Sequence, residues 1–245
     1  MPISPNFTSI LHEEKEITFL QCYPNGYLKY TDLCNILQLT AATHAELGGI
    51  SFSDMQEFHQ AWVLSRMRLE IKRLPKWKDV ITVKTWINSL ENSRSIRCLE
   101  MYLGDEKIIG CETFWAVFNT KTRRPENLAL PHEHFQKFPE RATNEAFSKI
   151  DFQQEMNFTG NHTVKLSDLD IVNHANSVKY LEWCLDLIDI SIIKNQQIES
   201  LEMNYLKEVS LNETVDLKQK VNNKNIVFTI SKEEKTNFAL QLHLK

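Results

Sequence analysis

The feature that most constrains the fold is a pattern of predicted elements that occurs twice along the chain. Each half opens with a strand, continues into one long helix and ends in four strands. The segments RLEIKRLPKWKDVITVKTW (68–86) and EMNYLKEVSLNETVDLKQK (202–220) share a strand, a kink, an acidic turn and a second strand. Their offset is about 135 residues, against about 145 for the two helices, and a longer 48–61 loop accounts for the difference. The sequence therefore predicts two related units.

The predicted elements favour an α+β fold in which each antiparallel sheet wraps around one central helix. The first helix is predicted over about 32–47 with Thr31 as its N-cap, and the second over about 176–190. Strands are predicted over 16–23, 62–73, 80–87, 95–103, 107–118, 155–166, 199–208, 213–221, 225–232 and 237–244.

The segment between the two predicted units breaks this rhythm. Residues 121–150 contain three prolines and many charges, which is typical of a linker with short helical pieces. We therefore expect a first domain over 1–124, an interdomain linker over 125–150 and a second domain over 151–245.

Composition excludes several classes of protein. A net charge of -4 and a pI of about 6.1 argue against a nucleic-acid binder, which needs a basic face. The five dispersed cysteines show no zinc spacing and indicate a reduced, cytoplasmic protein. The sequence shows neither a signal peptide nor an apolar run long enough to span a membrane, and it lacks a Gly-rich phosphate loop.

One polar cluster precedes the second helix, in the segment SDLDIVNHANSVKYLEW (167–183). Asp168, Asp170, Asn173, His174 and Asn176 fall within nine residues, just before an apolar stripe. Such residues can cap a helix, or they can act on a molecule held against its start. Backbone N–H groups there have no partner within the helix and can bind a carbonyl oxygen that gains negative charge. The first helix start has only Asp32 and Asn35.

Three motifs together give the chain a family resemblance: QAWVLSRMRLEIKRLPKWKDVITVKTW (60–86), SDLDIVNHANSVKYLEW and MNYLKEV (203–209). In this order they resemble the acyl-acyl-carrier-protein (acyl-ACP) thioesterases of plants and bacteria, which are double hotdog proteins. The resemblance implies a tandem hotdog, with an acyl-binding N-terminal unit and a catalytic C-terminal unit. It also implies hydrolysis of the thioester between a fatty acyl chain and the phosphopantetheine arm of acyl carrier protein. That reaction releases free fatty acid and ends chain elongation, with no cofactor and no metal.

The resemblance also assigns catalytic residues. The family's aspartate, histidine and glutamate fall on Asp170, His174 and Glu208. The family pattern is Asp-x-Asn-x-His, but this chain has Val172 in the asparagine position and Asn173 one residue later. Either Asn173 reaches the site through a local shift, or the chain works without that amide. The asparagine that follows the histidine in the family is present as Asn176.

These residues suggest a division of roles. We expect Glu208 and His174 to position and deprotonate a water, while Asp170 holds the site or attacks as a nucleophile. N–H groups near Asn176 and Ser177 would polarise the thioester carbonyl. The resemblance further places Ile36, Thr40, Trp62 and Trp86 along the acyl tunnel. His44 is either a further tunnel residue or a core histidine.

Two alternatives remain open from the sequence. The chain could hydrolyse acyl-coenzyme A, or it could be an acyl-binding hotdog protein with little turnover, an idea that Val172 motivates. A basic run comprises Arg66, Arg68, Lys72, Arg73, Lys76 and Lys78. It is either a solvated strand face or a docking surface for an acidic carrier protein, a role that Lys121, Arg123 and Arg124 could also fill. Acyl chain length and homodimer formation are also left open.

Overall fold

A computed structural model describes residues 3–245, which fall into two units that each contain an antiparallel sheet and helices. The first unit contains the described residues up to Ser65 together with Lys72–Ala146. The second contains Arg66–Ile71 and Phe147–Lys245. None of the helices in the described part of the chain has the length and apolar character needed to cross a membrane.

The first unit pairs its strands in the order β1-β3-β4-β5, and a short strand β6 adds to β5. Its strands are β1 (Ile10–Glu16), β2 (Gln60–Ile71, of which the last six residues belong to the second unit), β3 (Val80–Glu91), β4 (Arg94–Leu103), β5 (Glu106–Asn119) and β6 (Arg124–Pro125). Helix α1 (Tyr30–Leu47) packs against β3 and β4, and α2 (Phe52–Gln56) is a single short turn. The buried face of α1 repeats every three or four residues, as predicted.

The first strand lies elsewhere than the sequence predicted. Strand β1 ends at Glu16, and Phe19–Gln21 form a 3₁₀ turn in place of the strand expected over 16–23. Because β1 leaves alternate side chains in solvent, its sequence ILHEEKE needs few apolar residues. The N-cap of α1 is Lys29 rather than Thr31, since the Lys29 N–H donates to the Gln21 carbonyl and the helix begins directly after it.

Residues 121–150 form no helix, contrary to the prediction of short helical pieces. Instead, Leu128, Leu130 and Phe135 are buried in the core of the first unit. The backbone also attaches to β3, because the Asn88 side chain donates to the Phe138 carbonyl at 3.1 Å. The apolar side chains in this segment were too scattered to predict that packing.

The second unit repeats the plan with a shorter helix. Its strands are β7 (Asn157–Thr163), β8 (Ile198–Tyr205), β9 (Thr214–Asn222), β10 (Asn225–Lys232) and β11 (Lys235–Leu244). They pair in the order β8-β11-β10-β9-β7, and Arg66–Glu70 of β2 pair with β8. Helix α3 (Ser177–Leu185) packs against β11 and ends earlier than predicted. The reason is Asp189, whose side chain caps a separate helix α4 (Ile190–Lys194).

Candidate active site

A tight loop leads into α3 and fixes the polar cluster at the start of that helix. A 3₁₀ turn at Leu166–Asp168 is followed by a bridge between Leu169 and Ala175. Within the loop the Asp170 N–H donates to the His174 carbonyl at 2.9 Å. The Asn176 N–H donates to the Asp168 carbonyl at 2.8 Å, which closes the loop onto the helix.

Asp170 holds this loop from within. Its Oδ1 atom accepts hydrogen bonds from the Val172 N–H at 3.0 Å and the His174 N–H at 3.2 Å. This is the geometry of an Asx turn, in which a carboxylate oxygen satisfies the N–H groups that follow it. The holding role that the sequence suggested for Asp170 therefore has a direct structural basis.

His174 and Glu208 lie together, although two helices and a strand separate them along the chain. His174 Nδ1 is 3.2 Å from Glu208 Oε2. Two backbone contacts set this distance: the Ala175 N–H donates to the Val209 carbonyl at 2.8 Å, and His174 forms a bridge with Ser210. The two side chains are 27% and 38% exposed, so a water or a substrate reaches both. Glu208 lies three residues beyond the end of β8, rather than in a strand.

The two asparagines have different structural positions. Asn176 is the N-cap of α3, and its Oδ1 accepts from the Val178 N–H at 3.0 Å. Its own N–H donates to the Asp168 carbonyl, so this N–H is not available to polarise a thioester carbonyl, whereas that role for the Ser177 N–H stays a prediction. Asn173 is exposed, with a φ of 65°. Asparagine tolerates this left-handed conformation better than most residues, which explains an asparagine at 173 rather than 172.

His162, which the sequence did not single out, contacts this loop through Asp168. His162 Nε2 is 2.9 Å from Asp168 Oδ2, and its ring stacks on Trp183 at 4.2 Å. Burial raises the pKa of Asp168, but hydrogen bonds from the Lys165 N–H and His162 outweigh it and leave the pKa lowered. Asp168 Oδ2 accepts from the Lys165 N–H at 2.8 Å, as Gln21 Oε1 accepts from the Thr18 N–H at 2.9 Å in the first unit. The residues next to His162 give no sign of its contact with Asp168.

The first unit contains a cavity of about 350 Å³ between α1 and its sheet. Its lining comprises Gln38, Ala41, Ala42, Ala45, Glu46, Ile50, Ser51, Phe52, Ser53, Trp62, Ile87, Ser95, Arg97 and Trp115. Of the four predicted tunnel residues only Trp62 is among them. Ile36 is buried elsewhere, Thr40 donates to Glu13 Oε2 at 2.7 Å, and Trp86 donates to the Glu140 carbonyl at 3.2 Å.

Arg97 was not foreseen, and it brings a buried positive charge to this cavity. Its Nη1 donates to His44 Nδ1 at 2.6 Å, and His44 Nε2 therefore donates to the Thr8 carbonyl at 2.9 Å. Burial, followed by the charge of Arg97, lowers the pKa of His44 to about 3. Burial also lowers the pKa of Arg97 to about 10, so the guanidinium stays charged at neutral pH. His44 is a hydrogen-bonded core histidine.

Three of the six basic residues in the run 66–78 are paired with acids. Arg68 is buried and contacts Glu202 at 3.0 Å and Glu70 at 3.2 Å. Lys72 and Arg73 both contact Glu106 at 2.7 Å. The Lys72 side chain nevertheless stays 68% exposed, and the docking surface stays a prediction. Residues 3–245 also contain no group of three or more His, Cys, Asp or Glu side chains arranged to hold a metal.

Family models match most of the chain. Residues 10–134 match the acyl-ACP thioesterase N-terminal domain, and residues 150–244 match the acyl-ACP thioesterase C-terminal domain. Among curated proteins, the chloroplastic oleoyl-acyl carrier protein thioesterase of Coriandrum sativum is 27% identical over 228 residues. That alignment covers 82% of this chain but 61% of the relative, so the chain spans less than two thirds of that protein's length.

Solved structures agree with the architecture. An acyl-ACP thioesterase from Bacteroides thetaiotaomicron superposes with a TM-score of 0.90 at 24% identity, covering 97% of this chain and 98% of that one. The 12:0-ACP thioesterase from Umbellularia californica gives 0.81 at 18% identity, with the same coverage of both chains. At these identities the likeness concerns the fold alone, and it confirms the predicted α+β tandem hotdog.

Proposed function

The chain belongs to the acyl-ACP thioesterase family, and we propose that it hydrolyses the thioester of fatty acyl-acyl carrier protein. The products are a free fatty acid and the carrier protein with its phosphopantetheine thiol, so the reaction ends chain elongation. The observation that carries the proposal is the pairing of His174 Nδ1 with Glu208 Oε2 at 3.2 Å, beside the start of α3.

This pairing suits a general base. The Glu208 carboxylate accepts the Nδ1 proton of His174, which fixes the tautomer and leaves Nε2 with a free electron pair. Nε2 then removes a proton from a water as that water attacks the thioester carbonyl carbon. The imidazolium that forms is stabilised by Glu208, and it returns the proton to the departing thiolate.

The developing oxyanion needs donors near the same helix start. Asn176 uses Oδ1 to cap α3, so its Nδ2 group is the part of the side chain able to donate outward. The positive end of the α3 dipole adds to this stabilisation. We therefore assign Asn176 Nδ2, rather than the Asn176 N–H, to the carbonyl oxygen.

Attack by water is preferred over attack by Asp170. Two N–H donors already bind Asp170 Oδ1, and hydrogen bonds to a carboxylate oxygen reduce its nucleophilicity. Asp170 therefore acts by holding the loop that presents His174. Asn173 has no catalytic role in this scheme, because its left-handed φ and its exposure explain its presence.

The two units are assigned different roles. We propose that the second unit is catalytic and that the cavity of the first unit takes the acyl chain, with Trp62 in its lining. The partner is acyl carrier protein. The five free cysteines support a cytoplasmic location, and homodimer formation stays a prediction.

The test compares two thioesters of equal chain length. The purified protein is incubated with acyl-ACP or acyl-coenzyme A, and the released thiol is measured. We expect hydrolysis of both, faster with acyl-ACP. No hydrolysis of either would overturn the proposed function, and an equal or faster rate with acyl-coenzyme A would overturn the carrier assignment.

Matched variants connect the activity to the site. We expect Glu208→Gln to lower the rate by about 10²-fold or more. Glu199→Gln removes an exposed carboxylate from β8 and should leave the rate unchanged. Fatty acids released from a mixed acyl-ACP pool would then identify the preferred chain length.

A further inference from the structure

We propose that Tyr180 and Asn237 are positioning residues that clamp the peptide group between Glu208 and Val209, and so hold the Glu208 carboxylate against His174. The inference rests on the proposed function, because it concerns the residue that orients the general base. Neither Tyr180 nor Asn237 is among the family residues that the resemblance assigned.

The clamp consists of hydrogen bonds to the two sides of one peptide group. The Val209 N–H donates to the Tyr180 hydroxyl oxygen at 3.0 Å. The Asn237 side-chain Nδ2 donates to the Glu208 carbonyl at 3.4 Å and also to the Lys207 carbonyl at 3.4 Å. The peptide group that carries Glu208 is therefore held from α3 on one side and from β11 on the other.

Both clamp residues are rigidly placed. Tyr180 is 3% exposed and Asn237 is 2% exposed. The Tyr180 ring contacts Trp183, Tyr205 and Phe238 at centroid distances of 5.3, 6.2 and 5.4 Å. Asn237 is fixed at its other end, since its Oδ1 accepts from the Lys232 N–H at 2.9 Å. Neither side chain can turn away without breaking buried contacts.

Glu208 needs such support because it lies outside the sheet. Strand β8 ends at Tyr205, so no regular ladder of backbone hydrogen bonds holds residues 206–209. The Asn237 carbonyl accepts from the Leu206 N–H at 2.8 Å and the Lys207 N–H at 3.0 Å, but these bonds stop short of Glu208. The side-chain bonds from Tyr180 and Asn237 continue the support to the residue that contacts His174.

The first unit provides an internal comparison, because the same backbone occurs there with different residues at the clamp positions. The Leu28 N–H donates to the Pro75 carbonyl, which matches the bond from the Ala175 N–H to the Val209 carbonyl. The Lys72 N–H donates to the Ile108 carbonyl, which matches the bond from the Leu206 N–H to the Asn237 carbonyl. The peptide equivalent to Glu208–Val209 is therefore Leu74–Pro75, which lacks an N–H.

The clamp residues have apolar counterparts as well. The contacts that match Ala175 with Leu28 place Tyr180 opposite Leu33, each five residues further along the chain, and the backbone contacts match Asn237 with Ile108. Both Leu33 and Ile108 are buried. The second unit thus has all four groups, and the first unit has none of them at the equivalent positions. These groups are the Tyr180 hydroxyl, the Asn237 amide, the Val209 N–H and the Glu208 carboxylate. A purely structural role would be expected in both units.

Kinetics of Tyr180→Phe and Asn237→Ala on acyl-ACP test the clamp. We expect kcat to fall by about 10- to 100-fold with KM changed less than twofold, because misplacing a catalytic group slows the chemical step without weakening acyl binding. In a Glu208→Gln background the same substitutions should lower kcat less than twofold further, since they act through Glu208. Full kcat in both single variants, or equal losses with and without Glu208, would overturn the proposal.

Two further variants protect the test from a folding defect. Val209→Pro removes the N–H without touching the aromatic cluster, and Pro75 at the equivalent position shows that this backbone accepts proline. We expect Val209→Pro to lower kcat as much as Tyr180→Phe does. The double variant should lose no more kcat than either single variant, because both remove the same hydrogen bond. Tyr102→Phe, which loses a hydroxyl bonded to Glu100 in the first unit, should keep kcat. The proposed function itself fails if the wild type does not hydrolyse the thioester, whereas the clamp fails if the wild type is active and Val209→Pro is equally so.

Discussion

The two loops that precede α1 and α3 have the same backbone but different chemistry. Each begins with a 3₁₀ turn, forms one bridge and reverses through a residue with positive φ, Gly26 at 79° in the first unit and Asn173 at 65° in the second. The Tyr23 N–H donates to the Tyr27 carbonyl at 2.8 Å, as Asp170 does to His174 at 2.9 Å. The loop conformation therefore does not create the site.

The side chains on this shared backbone make the difference. His174 corresponds to Tyr27, Asp170 to Tyr23 and Glu208 to Leu74, by the same backbone contacts. Leu74 is buried, whereas Glu208 is 38% exposed and contacts His174. A duplicated scaffold can therefore concentrate polar chemistry in one copy and leave the other for apolar packing.

The largest expected effect comes from giving the second loop the side chains of the first. His174→Tyr combined with Glu208→Leu should lower kcat on acyl-ACP by about 10³-fold, because the general base and its partner are both lost. Tyr27→His in the first unit is the matched control and should keep activity within about twofold. Activity retained in the double variant would show that His174 and Glu208 do not perform the chemistry.

The second prediction separates two roles for Asp170. Asp170→Ala removes the acceptor for the Val172 and His174 N–H groups, and we expect kcat to fall by about 10²-fold as the loop loosens. Asp170→Asn keeps an acceptor oxygen and should cost less than about tenfold. If Asp170→Asn were as damaging as Asp170→Ala, the carboxylate itself would take part in the reaction.

The third prediction concerns the buried pair of His44 and Arg97, which distinguishes α1 from α3. The pKa of His44 is about 3 in the folded chain, and about 6.5 is expected when unfolded, so the unfolded state takes up the proton first. The contribution of His44 to the free energy of unfolding is therefore fully present above pH 6.5, and it decreases as the pH falls below that value. Between pH 7 and pH 5 the free energy of unfolding should decrease by about 2 kcal/mol.

Denaturant unfolding at the two pH values measures this loss. His44→Gln should be less stable than the wild type at pH 7 but should show less change between pH 7 and pH 5. An unaltered pH dependence in His44→Gln would mean that other groups cause it.

The smallest effect is expected at the turn. Asn173→Gly places in the second loop the residue that the first loop has at Gly26, and kcat should stay within about twofold. Asn173→Val should lose about 1 to 2 kcal/mol of stability, because a β-branched residue is strained at a φ of 65°. Abolished hydrolysis in Asn173→Gly would return Asn173 to the list of catalytic residues.

Most elements could be predicted because their periodicity is local. The buried stripe of α1 and the apolar runs of strands β2 to β5 follow from residues close in sequence. The predictions were wrong where a segment packs against residues distant in sequence or has few apolar residues of its own. Strand β1 is mostly polar, and the segment 121–150 buries only a few apolar side chains, so neither carries a strong pattern.

The candidate site divides in the same way. His174, Asp170 and Asn176 are close in sequence, so their grouping before α3 could be predicted, and the family resemblance added Glu208. Of the N–H groups predicted for the carbonyl oxygen, that of Asn176 is already bonded, because its acceptor, the Asp168 carbonyl, belongs to a 3₁₀ turn that was not predicted. Arg97 and His162 lie in strands whose local pattern gives no sign of a buried partner.

The sequence by itself determined the duplication and the α+β class and supplied candidate catalytic residues, because periodicity and residue type are properties of neighbouring positions. Only the tertiary structure decided which groups meet: His174 with Glu208, Arg97 with His44, and Tyr180 with Val209. Those meetings depend on how strands from separate parts of the chain align beside a helix. A hydrogen bond between distant residues leaves no mark on the residues next to either partner.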